Sequence, residues 1–119
     1  METLMVPLTH IAFIRARPGC SQALGRRLAG LIAPSRAEPG CIAYDVHQSN
    51  EDPDLWFVHE NWRSPEELAA HLERPHMQHF ANELPALIKG DLTLGSFTRT
   101  SAAAFPQTAS AASAPPECV

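Results

Sequence analysis

A chain of 119 residues has room for one domain, and at this size folding buries only about two-thirds of the surface that the unfolded chain exposes. Hydrophobic residues make up 45% of it and the net charge is -4, which gives no electrostatic footprint for nucleic acid or anionic lipid. No apolar run approaches the roughly 18 residues of a membrane span, and residues 1–7 lack the basic region and apolar core of a secretory signal, so the cytoplasm is the expected compartment.

Residues 8–16, LTHIAFIRA, alternate as a strand does, and Pro18-Gly19 turns the chain. Ser21 is placed to cap a helix whose apolar positions Leu24, Leu28, Leu31 and Ile32 form one stripe. Pro34 removes a backbone donor and bends that helix before Pro39-Gly40 stops it. Residues 41–48, CIAYDVHQ, read as a second strand, and the polar turn 49–54 leads into a third at 55–62, an antiparallel hairpin.

Ser64 and Glu67 stand three apart with Pro65 between them, the pattern of a capped helix start. Leu68, His71 and Leu72 share a face of this helix, Pro75 interrupts it, and a second helical piece carries Met77, Phe80, Leu84 and Leu87, with Pro85 as a kink and Gly90 as the stop. Residues 91–99 alternate as a fourth strand. The order strand, helix, strand, strand, helix, strand is the α+β ferredoxin-like split βαββαβ motif, a four-stranded antiparallel sheet with its helices on one face.

Strand three carries Trp56, Val58, Glu60 and Trp62 on one side and Leu55, Phe57, His59 and Asn61 on the other, so both faces of the sheet hold large apolar groups. Helices on one side cannot bury both. A second copy packed sheet against sheet, a homodimeric α/β barrel, is the expected solution. Residues 1–100 form the domain, and the Ala/Ser/Pro-rich segment 101–119 reads as a tail. Cys20, Cys41 and Cys118 make an odd set without a CxxC spacing and are expected as reduced thiols.

The string Pro34-Ser35-Arg36-Ala37-Glu38-Pro39-Gly40-Cys41-Ile42-Ala43-Tyr44, followed by Glu60-Asn61-Trp62, His71-Leu72 and Pro75-His76, resembles the antibiotic biosynthesis monooxygenase (ABM) family, including its quinol monooxygenase-like members. The resemblance spans about residues 8–99. It implies a dimeric ferredoxin-like barrel with a pocket between sheet and helices, and oxygenation of phenols or hydroquinones by dioxygen without flavin, haem or metal. An electron-rich phenolate can itself reduce dioxygen, so the protein has only to bind it, remove a proton and exclude water. Haem, which some relatives degrade, is disfavoured, because Ala12, His71 and Ala81 stand where those relatives carry Asn, Trp and the axial His, and His79 falls on another helix face. No GxGxxG, phosphate loop or CxxCH is present, so no cofactor is expected.

His71, on the apolar face of its helix, is the first candidate for a catalytic base or orienting donor; packing against a backbone carbonyl is its bland alternative. Glu60 shares a strand face with Val58 and Trp62, a costly place for a carboxylate unless it is paired, with Arg36 for example, or fixes the His71 tautomer. Trp62 and Tyr44 are candidate pocket walls, His76 a candidate for the pocket mouth, and Arg36 either a contact for an anionic substrate or the partner of Glu38. A metal held by His71, His76 and His79 is disfavoured, since spacings of five and three broken by a proline do not share a face. His47 and His59 are expected as solvated imidazoles. Two other function classes fit the sequence: an isomerase of a small keto or enol sugar with His71 and His76 as its proton pair, and a ligand-binding dimer without catalysis.

Overall fold

The computed structural model describes residues 6–101, and segment 102–119, with most of the expected tail, lies outside them. Eight elements follow in chain order: β1 (Leu8–Arg15), α1 (Ser21–Gly30), α2 (Ile32–Arg36), β2 (Cys41–Gln48), β3 (Leu55–Trp62), α3 (Pro65–Leu72), α4 (Pro75–Leu87) and β4 (Thr93–Phe97). The sheet order is β2-β3-β1-β4 with every neighbouring pair antiparallel, which is the split motif read from the sequence. Strand four is shorter than expected at both ends.

Proline chemistry explains why four helices stand where two were expected. Pro34 has no N–H to offer the Gly30 carbonyl, so the helix breaks at Leu31, whose own N–H turns to Leu28 at 3.0 Å in a tighter three-residue step. Pro75 opens α4 at its first position, and Pro85 sits inside that helix, which ends at Leu87 before Gly90 takes a left-handed φ of 77°.

Ser64 caps α3 as expected, its Oγ accepting from Glu67 N–H at 3.2 Å with Pro65 first in the helix. Ser21 does not cap α1. Its hydroxyl donates to the Pro53 carbonyl at 2.6 Å and accepts from Trp56 Nε1 at 2.9 Å, tying α1 to the hairpin turn, and Cys20 holds the cap position with no side-chain bond.

The core lies between the sheet and the helices. Leu8, Ala12, Ile14 and Val58 from the strands meet Leu24, Leu28, Phe80 and Leu84 from the helices and Leu31 from the α1–α2 junction, all buried. Each fully buried Leu contributes roughly 1.5–3 kcal/mol relative to solvent. Leu72, expected to be in that layer, is instead 47% exposed. On the opposite face the rings of Phe13 and Phe57 stack 5.0 Å apart, with Phe13 43% and Phe97 54% exposed. Among the described residues, no helix is long and apolar enough to cross a membrane.

Candidate active site

Antiparallel register builds the site. Glu60 on β3 is the direct partner of Tyr44 on β2 and of His10 on β1, and His10 in turn pairs with Ser96 on β4. Directly paired residues share a face, so a phenol, a carboxylate and an imidazole stand side by side across the sheet beneath the helices. They form part of the floor of a cavity of about 110 Å³, whose other walls include Ala12, Ile14, Leu28, Leu31, Phe80 and Met77, with Leu72 and Leu94 at the rim.

Glu60 is 4% exposed and meets three groups. Its Oε1 accepts from Trp62 Nε1 at 2.9 Å, its Oε2 lies 3.4 Å from His10 Nδ1, and His71 Nε2 stands 3.9 Å from Oε1. Burial raises the Tyr44 phenol far above its ordinary pKa, and the neighbouring Glu60 charge pushes it the same way. Tyr44 therefore remains a protonated hydroxyl at the cavity wall. The Cys41 thiol, at the start of β2, is pushed up to about 11, chiefly by burial and then by the charges of Glu38 and Glu60.

A second carboxylate lies behind this floor. Glu38, in the turn after α2, directs Oε2 at both His71 Nδ1, 2.7 Å away, and His76 Nε2, 2.9 Å away, while Oε1 accepts from Arg74 Nε at 3.3 Å. The donor atoms of Glu38, His71 and His76 fall within 4.8 Å of one another, which is metal-ligand proximity. Their spacing is that of hydrogen bonds: both imidazoles meet one oxygen, whereas a tetrahedral zinc with bonds of about 2.0–2.1 Å spreads its donors to roughly 3.3 Å. The Arg74 guanidinium on the same carboxylate opposes a further cation.

The sequence-derived candidates fall in four places. Glu60 and Tyr44 line the cavity. Trp62 and His71, both fully buried, pack against each other with ring centroids 4.5 Å apart and planes tilted by 37°, and support Glu60 from behind; neither lines the cavity, so Trp62 is not the pocket wall expected and His71 stands one residue back from the place expected of a base. His76 borders a surface groove with Arg26, Arg27 and His79 and is absent from the cavity lining. Arg36 is also outside the lining, binding Asp45 at 2.8 Å and the Tyr44 carbonyl at 3.0 Å, so its expected pairings with Glu38 and Glu60 are both replaced. The trio weighed for a metal also changes, with Glu38 taking the place of His79.

Two residues escaped sequence reasoning. His10 carried a usable signal, since it alternates with Leu8 and Ala12 on the inward side of β1. Glu38 carried none: 33 residues separate it from His71, and only the seating of the turn after α2 against α3 brings them together.

The antibiotic biosynthesis monooxygenase family model matches residues 7–83, more than half of the chain, and the protein belongs to that family. It is 34% identical over 95 residues to the probable quinol monooxygenase YgiN of Escherichia coli K12, covering 71% of this chain and 88% of YgiN. A Synechocystis protein designated sll1783 is 27% identical over 82 residues, covering 69% of this chain, and the chain spans 56% of that relative. The crystal structure of PA3566 from Pseudomonas aeruginosa superposes with a TM-score of 0.79 at 38% identity, covering 84% of this chain and all of PA3566.

Proposed function

We propose that the protein is a cofactor-independent monooxygenase that oxidises a small phenol, hydroquinone or polyketide-like aromatic with dioxygen. The single observation that carries this reading is the buried Glu60 carboxylate, aligned between His10 and Tyr44 on the floor of an apolar cavity. A carboxylate held where water is scarce is suited to take a hydroxyl proton, and Tyr44 and His10 are placed to hydrogen-bond the resulting oxyanion. A hydroquinone supplies its own electrons: hydroquinone plus dioxygen equals hydroxyquinone plus water, so no outside reductant enters. The name of the relative YgiN supports the quinol class.

An apolar cavity of about 150 Å³ accommodates benzene, so 110 Å³ requires the rim to yield for a substituted ring. Leu72 and Leu94, 47% and 57% exposed, are the groups free to swing aside. A phosphorylated keto sugar fits less well, because the cavity lining includes no arginine or lysine. The same proposal extends to assembly and place: residues 1–100 act as the catalytic domain ahead of the tail, the aromatic open face pairs with a second copy, and the free thiols of Cys20 and Cys41 fit a reducing cytoplasm.

Oxygen uptake by purified, chelator-treated protein across a panel of hydroquinones is the test. Uptake that Glu60→Gln removes supports the reading; equal uptake by the variant and the parent overturns it.

A further inference from the structure

The proposed chemistry uses Glu60, His10 and Tyr44 and leaves a line of buried polar groups behind them without a task. His71 is fully buried, and its two ring nitrogens face two different carboxylates: Nδ1 meets Glu38 Oε2 at 2.7 Å, and Nε2 looks toward Glu60 Oε1 at 3.9 Å. That Nε2 is a buried nitrogen without a hydrogen-bond partner. With the ring proton on Nδ1 and donated to Glu38, Nε2 presents a lone pair to Glu60, ready to accept. Beyond Glu38, His76 Nε2 lies 2.9 Å from the same oxygen, and the His76 side chain is 23% exposed. Packing alone does not call for two carboxylates and an imidazole in one buried file, since apolar groups of similar volume serve a core at lower desolvation cost.

We infer that Glu60, His71, Glu38 and His76 form a two-way proton relay between the cavity and the surface, an inference whose catalytic purpose rests on the oxygenase reading above. The overall reaction explains why both directions matter. The substrate hydroxyl loses a proton before dioxygen is reduced and a carbon–oxygen bond forms; when the O–O bond breaks, the departing oxygen needs a proton to leave as water. On the outward leg the hydroxyl proton passes to Glu60 and then to His71 Nε2, the Nδ1 proton moves to Glu38, and His76 exchanges it with solvent. The inward leg reverses each transfer, delivers the proton to the departing oxygen and restores the Nδ1–H form of His71. One proton leaves and one returns, so both carboxylates end as they began. Closing the 3.9 Å gap needs a shift of about 1 Å, and catalytic hydrogen bonds commonly tighten on binding. His71, Glu38 and His76 touch no substrate and act through Glu60.

The test needs no turnover. In protein labelled with ¹⁵N-histidine, the His71 ring N–H exchanges with water despite its burial, and the rate is read by NMR. His76→Ala should slow this exchange at least tenfold, and added imidazole should restore it. Glu38→Gln retains an acceptor for Nδ1–H but cannot carry a proton, so it should slow exchange equally without rescue; being isosteric, it serves if the alanine variant fails to fold. Unchanged exchange in Glu38→Gln, or slowing in His76→Ala that imidazole does not relieve, overturns the relay. Hydroquinone turnover separates the two claims: with the relay intact, Glu38→Gln should lower kcat about tenfold at unchanged KM. Relay exchange without oxygen uptake by the parent protein sinks the oxygenase reading alone.

Discussion

The two faces of one sheet break the usual rule of burial in opposite directions. Beneath the helices, Tyr44, Glu60 and His10 occupy adjacent strands, all buried, although all three carry titratable groups, and Glu60 is of a type that a core avoids unless it is paired. On the open face, three residues along the same strands, Phe57 and Phe13 stack at the surface, Phe57 half-buried and Phe13 exposed. Imidazoles sharpen the contrast. His10 and His71 each face a buried carboxylate, whereas His59 and His47 lie beside the Phe57 ring. Under the proposed function the buried charge serves the chemistry and the open aromatic face serves assembly.

The largest expected effect separates the faces by stability. Trp62→Ala removes a fully buried indole and the hydrogen bond to Glu60, and should cost about 3–5 kcal/mol by urea denaturation, against about 1 kcal/mol or less for Phe13→Ala on the open face at protein concentrations low enough to keep copies apart. Similar losses at both positions would break the comparison. Next comes chemistry: Glu60→Gln should lower hydroquinone-dependent oxygen uptake by at least about 100-fold, while His59→Gln, the adjacent residue on the other face, leaves it unchanged. A smaller effect falls on assembly. Phe57→Asp should convert a sedimenting dimer to monomer with its circular dichroism intact, and a parent protein that already sediments as a monomer would remove the interface from the account.

The mildest test concerns pH. Cys41, on the covered side, has its pKa raised from 9.0 to about 11, so the folded state favours the neutral thiol. That preference contributes its full stability below pH 9 and is lost as pH rises through about 11. With Cys20 and Cys118 replaced by Ser, iodoacetamide labelling of the native protein should find only roughly 1% thiolate at pH 9 and should accelerate toward pH 11. Half-maximal labelling near pH 9 would place this thiol in ordinary solvent.

Much of the framework was legible because it is local. Period-two runs gave the strands, the Ser64-Pro65-Glu67 pattern gave the start of α3, and Pro75 gave the break before α4. Ser21 shows the limit: its residue type suits a cap, yet Trp56 and the Pro53 carbonyl, more than thirty residues away, claim its hydroxyl. Arg36 shows it again, since Asp45 across the α2–β2 turn outcompetes both carboxylates considered for it.

What the sequence determined by itself was which residues face which way: alternation set Glu60 and Trp62 on one side of β3, and the proline and cap signals set where each helix begins. What the tertiary structure alone decided was partnership. His10 meets Glu60 across 50 residues and Glu38 meets His71 across 33, through strand register and the seating of the turn after α2 on α3. Hydrogen bonds act over about 3 Å, and no pattern within one segment encodes which distant segment will come that near.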